Sequence, residues 1–318
     1  MHKPHCPSSL RYRLARVVPL LSTLVLVGAR PLRVPDPARR VLPPPQLVGV
    51  GIIHTRHMQR GVFEVDAYQA DLEVTWQGHP VRLVLGLGGD FGLILMGQKM
   101  ATLFGETPPD TVLDSLPAAL RFARQVPTPL PQVIGLVGNR FLAHYDLVLD
   151  GAAGQVRLYT RGPGLPPDGR ATQCTPIRPM PEANEAFQIR ADGHPLTAIF
   201  ETRADYTKMN IVAAKAIGLT QHAPQVHPKP ANVWEQQDAF GHRIKYQARD
   251  ISLTLGTQPF TAGPILLFPK LGVDQGAQSV PPTILLNLSN IPHQRWVLSN
   301  STHQVCLGSS PGPTGHES

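Results

Sequence analysis

Two stretches of the chain carry the same hydrophobic pattern. Leu72 to Ile94 reads LEVTWQGHPVRLVLGLGGDFGLI and Phe187 to Met209 reads FQIRADGHPLTAIFETRADYTKM, at a constant offset of 115 residues. On both sides of a shared Gly-His-Pro (Gly78, His79, Pro80; Gly193, His194, Pro195) apolar and polar residues alternate. A period of two is that of a half-buried strand, and Gly-His-Pro supplies the turn between two of them. Each copy therefore predicts a β-hairpin that runs into a tight turn, at residues 86–92 and 201–207. Val74 matches Ile189, Leu83 matches Ala198, Leu85 matches Phe200, and Asp90-Phe91 falls on Asp205-Tyr206.

A second repeat follows each hairpin. LVGNRFLAHYDLVLDGAAGQVRLY (Leu136 to Tyr159) matches LLNLSNIPHQRWVLSNSTHQVCLG (Leu285 to Gly308) at an offset of 149. Both copies predict a closing hairpin, turning near Gly151–Gly154 and Asn300–His303. Short helices are predicted in QKMATLFG after the first tight turn and IVAAKAIG after the second. Two copies of a β-rich unit, each too small to stand alone, imply packing about a pseudo-two-fold axis. The expected fold class is all-β and two-lobed, with lobes at residues 60–170 and 171–308.

The ends of the chain read differently. Arg11, Arg13 and Arg16 precede the apolar run Val17 to Ala29, whose 13 residues fall short of the roughly 20 a spanning helix needs. Small residues at Val27 and Ala29 mark a signal-peptidase site, so residues 1–29 are expected to be a signal peptide and the protein to be periplasmic or secreted. An uncleaved membrane anchor is the other reading. Residues 30–59 combine a Pro-rich linker with a first strand, and residues 309–318 form a tail expected to be disordered. After removal of Cys6, Cys174 and Cys306 remain, either bridged or as two free thiols. The net charge of +7 lies partly in the signal and linker, and no Lys/Arg run interleaves with aromatics, so no nucleic-acid partner is expected.

The order of parts resembles the pepsin/retropepsin superfamily of aspartic peptidases, especially bacterial single-chain, exported members, over roughly residues 60–308. IGLVGNRFLAHYDLVLDGAAGQVRLY and AIFETRADYTKMNIVAAKAIGL carry the resemblance. Members of that family have hydrophobic-hydrophobic-Asp-Thr-Gly-Ala in each half, and their two Asp carboxylates share one proton across the axis. The resemblance places Gly86, Leu87, Gly88 and Gly89 on the first motif and Glu201, Thr202, Arg203 and Ala204 on the second. The dyad has thus lost one carboxylate at Gly86 and lengthened the other at Glu201. Leu87 lacks the hydroxyl that would buttress the loops, and Arg203 brings a cation where a Gly is expected. Gly138 is kept in the later first-half loop, with Asn287 as its partner, an Asn expected to tolerate a Gly-like backbone.

What the resemblance implies is a catalytically degenerate homologue that binds peptide or a protein partner between the lobes as a monomer, with no cofactor and no metal. An active endopeptidase with a relocated acid pair, Glu201 with Asp90 or Asp205, is the alternative; Asp90 and Asp205 otherwise support their loops. A structural envelope protein is a further alternative. Phe240 and Gly241 mark a candidate flap tip within Val233–Gln247, with its counterpart in residues 104–131, where DTVLDSLPAALRFARQ reads as partly helical. The HTRH segment (His54 to His57) offers two imidazoles, but ahead of a strand rather than on a helix.

Overall fold

The computed structural model describes residues 43–309 except 61–62, 106–112, 114–115, 127–128, 168–172, 181–182, 205, 229–245, 262, 269–270, 272–280 and 289–293. The signal segment, the tail beyond Ser309, Asp205 and the candidate flap tip Phe240-Gly241 therefore lie outside the described residues. The first half supplies β1 (Leu47–Arg60), β2 (Phe63–Trp76), β3 (His79–Gly86), β4 (Leu93–Leu95), α1 (Gly97–Phe104), β5 (Leu120–Phe122), β6 (Val133–Gly138), α2 (Asn139–Leu142), β7 (Tyr145–Asp150) and β8 (Gln155–Thr160). The second half begins with β9 (Gln173–Pro176), β10 (Arg178–Met180), β11 (Ala183–Ala191), β12 (His194–Phe200), β13 (Thr207–Asn210) and α3 (Ile211–Ala216). It continues with β14 (Val226–Pro228), β15 (Tyr246–Ala248), β16 (Leu253–Leu255), β17 (Gln258–Phe260), β18 (Ile265–Phe268), β19 (Thr283–Leu286), β20 (Gln294–Ser299) and β21 (Gln304–Ser309). The architecture is all-β and two-lobed.

Both Gly-His-Pro hairpins form in one register. Val74 pairs with Val81 and Trp76 with His79 in the first; Ile189 pairs with Leu196 and Ala191 with His194 in the second. Each turn places two residues at positive φ, Gln77 (49°) with Gly78 (89°) and Asp192 (45°) with Gly193 (81°). Two successive left-handed residues give the turn twist that matches the twist of the strands it joins. The alternation then does what the pattern predicts on one face: Leu72, Val74, Leu83, Phe187, Ile189 and Ala198 are buried in a common core.

The closing hairpins also match. Asp150 pairs with Gln155 and Ser299 with Gln304, and Gly154 and His303 both sit at positive φ. These hairpins meet edge to edge, β7 antiparallel to β20, with Val148 opposite Val297. Those two residues are equivalents at the 149-residue offset, so the pseudo-two-fold axis passes between them. The order β1-β8-β7 on one side is mirrored by β20-β21-β9 on the other. Asp146 fastens the junction by accepting from Ser301 N (2.9 Å) and Ser301 Oγ (2.7 Å). Trp296, fully buried on β20, packs edge-on against Phe200 and Phe260 at 5.2 and 5.1 Å. Such aromatic pairs contribute about 0.5–1.5 kcal/mol beyond their burial.

Cys174 and Cys306 are directly opposed on β9 and β21, with Cα atoms 4.0 Å apart, and form a disulfide. Of the segment expected to be partly helical, the described residues hold a strand, β5, paired with β2, and a bridge from Leu113 to Leu93. Val74 and Trp76 offer that segment a strand edge, which overrides its local helical pattern.

Candidate functional site

Two parallel pairings set up the site. β3 runs beside β6 and brings Gly86 opposite Gly138; β12 runs beside β19 and ends with Phe200 opposite Leu286. Each strand then enters a tight turn closed the same way: Gly89 N donates to Gly86 O (3.3 Å) and Ala204 N to Glu201 O (3.1 Å). Arg203 is thus accommodated without loss of the turn.

The buried side chain of Thr202 joins the two turns. Thr202, 3% exposed, donates from Oγ1 to Leu85 O (2.6 Å) and accepts from Leu87 N (3.0 Å). Thr202 N also donates to Leu87 O at 3.3 Å. Leu87, equivalent to Thr202 by the repeat, is buried but has no hydroxyl to return the contact. The grip across the axis is therefore one-sided.

Phe91 fills the space beside Gly86. A Cβ on Gly86 would lie 2.7 Å from Phe91 Cζ, and one on Gly138 would lie 2.6 Å from Phe91 Cδ2. A Cβ on Gly89 would collide with the same ring. Three glycines thus make room for one phenyl group, in the position that the resemblance assigns to the first-half carboxylate. Phe91 is held by its own backbone, N to Gly89 O (2.9 Å) and O from Arg140 N (3.1 Å).

Arg203 completes the filling. Its Cδ lies 3.4 Å from where a Gly86 Cβ would be, and its Cζ sits 5.2 Å from the Phe91 ring centroid, within cation–π range. Its Nε is 3.4 Å from Glu201 Oε1, an ion pair whose geometry is not that of a hydrogen bond. Glu201 Oε1 is buried with no hydrogen-bond donor, while Oε2 lies over Gly88, 3.1 Å from where a Cβ would sit. Gly88 has φ +87°, so its glycine is required by conformation as well as by space. Asp90 points away into solvent, 60% exposed, 3.6 Å from Arg140 Nε.

The later loops correct one expectation. Gly138 has φ −109°, ψ −176°, an extended conformation open to any residue, and Asn287 is not left-handed either. Gly138 is needed because Phe91 leaves no room for a Cβ. Asn287, 2% exposed, instead accepts from Thr207 Oγ1 at 3.1 Å.

A buried polar cluster on β1, β2 and β3 escaped the sequence reading. Asp71, wholly buried, accepts from Arg82 Nη1 (2.6 Å) and Gln69 Nε2 (2.6 Å) and meets His54 Nε2 (3.0 Å). The His54 imidazole of the HTRH segment is thus a carboxylate partner; the His57 side chain lies outside the described residues. Glu73, 1% exposed, has no hydrogen-bond partner on either carboxylate oxygen. Burial raises its pKa to about 7; Asp71 adds to the rise, and Arg82 and His54 oppose it. Among the described residues no group of three or more His, Cys, Asp or Glu is placed to hold a metal.

No protein-family model matches this chain, and no curated protein matches it in sequence. Solved structures similar to it include an aspartic proteinase from Irpex lacteus, at 11% identity over 85% of this chain and 100% of that one, with a TM-score of 0.43. Basic 7S globulin from soybean is similar at 10% identity over 83% and 98%, TM-score 0.43. Conglutin gamma, a basic 7S globulin from lupine seeds, follows at 10% over 83% and 95%, TM-score 0.37. The two-lobed architecture shows in the chain's own strand order, shared registers and axis at Val148 and Val297.

Proposed function

We propose that this chain keeps an aspartic-peptidase-like scaffold for binding and has given up its hydrolytic chemistry. The observation that carries the reading is the Phe91 ring against Gly86, in the volume a first-half carboxylate would need. Peptide hydrolysis by this scaffold takes two carboxyl groups in near contact, one to activate water and one, protonated, to polarise the carbonyl. Here Glu201, the one carboxylate at the two acid positions of the motif, is paired with a guanidinium, and its opposite position is a glycine under a phenyl ring. The ion pair of Asp90 with Arg140 counts against Asp90 serving as a relocated second acid. Asp205, the other candidate partner, lies outside the described residues.

The ligand is an extended peptide or a segment of a protein partner, held by main-chain hydrogen bonds between the lobes. The protein acts as a monomer in an exported compartment, and the Cys174–Cys306 bridge supports that placement, because disulfides persist where the environment is oxidising. No helix among the described residues is long and apolar enough to cross a membrane.

The test is cleavage of a mixed peptide library from acid to neutral pH by the wild type and by Glu201→Ala. No turnover is expected from either. Clear wild-type turnover that vanishes in the variant overturns the reading and establishes an active peptidase with an unusual acid arrangement.

A further inference from the structure

We infer that Arg203 turns the former acid centre into a carboxylate-binding site, which accepts the C-terminal carboxylate of the bound peptide. The inference rests on the binding function just proposed and deepens it.

Four observations lead to it. The guanidinium lies over the Phe91 ring, with Cζ 5.2 Å from the ring centroid, and the Arg203 side chain remains 42% exposed. Its one carboxylate contact uses Nε, at 3.4 Å, and lacks hydrogen-bond geometry. The two Nη groups make no hydrogen bond to any described residue. The turn that carries Arg203 is anchored by the buried Thr202, so the cation is presented from a fixed base.

An arginine held over an aromatic ring with both Nη groups unbonded is preorganised for paired hydrogen bonds to a carboxylate. The backbone on either side of the axis is favourable too. The amides of Gly88 and Arg203, the third residues of the two turns, make no hydrogen bond to a described residue, whereas the fourth residues, Gly89 and Ala204, close the turns. The two turns thus carry two unbonded N–H donors in addition to the guanidinium.

Glu201 opposes an incoming anion. It is 18% exposed, against 42% for Arg203, and its Oε1 is buried, so its charge is less accessible than the guanidinium. Removing that charge frees Nε and strengthens the site. The same contacts would hold a free C-terminus or an Asp or Glu side chain. A C-terminus fits the turn surface better because it ends the chain, so nothing has to pass through the volume that Phe91 fills.

The probes are two random pools of N-acetylated tetrapeptides, one ending in a free carboxylate and one in an amide. Retention by the purified protein is read by ultrafiltration and mass spectrometry. A charge-assisted pair is expected to favour the acid pool by about ten- to a hundredfold. Arg203→Gln is expected to bring acid retention down to the amide level, Arg203→Lys to recover part of it, and Glu201→Gln to raise it severalfold. Equal retention of the two pools by the wild type, or an acid preference that survives Arg203→Gln, overturns the inference and leaves the peptide-binding reading intact. No retention of either pool overturns both. Arg203-dependent enrichment of Asp- or Glu-containing members in the amide pool upholds the carboxylate site and overturns the C-terminus as its source. Glu201→Gln guards against loss of fold in the Arg203 variants: if it fails to strengthen acid binding, the inference falls whatever they do.

Discussion

Gly86→Ala tests whether Phe91 owns the space beside the first turn. The added Cβ would stand 2.7 Å from Phe91 Cζ, whereas carbon atoms rest about 3.5–4.0 Å apart, so the ring must retreat by about 1 Å. Hydrogen bonds at both its amide and its carbonyl hold the Phe91 backbone, and Gly138 and Arg203 close the other sides. Overpacking of this kind costs about 1–3 kcal/mol. Gly86 is not left-handed, so the Gly→Ala change itself adds no backbone strain and gains about 0.4–1 kcal/mol from the unfolded chain. In a Phe91→Ala background the collision is gone and only the gain remains. The two substitutions should therefore couple by about 1–3 kcal/mol. Urea unfolding of the wild type, both single variants and the double variant measures this, provided the denaturant slope is unchanged. Additivity to within about 0.5 kcal/mol would refute the claim that the ring excludes a side chain at residue 86.

Two further expectations follow from buried groups. Glu73, raised to about 7 from 4.5, favours the fold fully below about pH 4.5 and loses that contribution as pH rises through 7, a change of about 3 kcal/mol. Glu73→Gln should flatten the stability profile across that window in thermal melts, leaving a smaller slope from Glu185, which burial also raises to about 7; an unchanged profile would show that Glu73 is solvated. Thr202→Val should cost about 1–3 kcal/mol by deleting both Oγ1 bonds across the axis, with Thr202→Ser close to wild type, and equal losses in the two variants would point to packing rather than hydrogen bonding.

The parts of the fold that recur were readable because each repeat carries its own turn chemistry. Gly78 and Gly193 announce the hairpins, and the matching offsets fix their equivalence. The one-sided grip was also readable, since Leu87 lacks the hydroxyl that Thr202 has. Phe91 does not stand out in the sequence as a filler, because it aligns with Tyr206 and reads as an ordinary motif aromatic. The signal lies in a combination: glycines at 86, 89 and 138 border one ring in space, the last of them far from it in sequence. The Asp71–Arg82–His54 cluster is hidden in the sequence for a different reason. Period-two alternation assigns Asp71 and Glu73 to a solvent face, and only the packed chain shows that this face is covered.

The axis between Val148 and Val297 has a consequence for what this chain is free to become. If two identical copies met along that line, residue 148 would face itself, and any change in one turn would appear in the other. A symmetric pair would carry the same residue on both turns, threonine on both or leucine on both, a carboxylate on both or on neither. Joining the halves in one chain removes that constraint. Thr202 can clamp both turns while Leu87 becomes core, and one turn can carry an arginine over the phenyl group of its neighbour. Asymmetry of this kind needs a single polypeptide in which the two sides of an interface mutate independently.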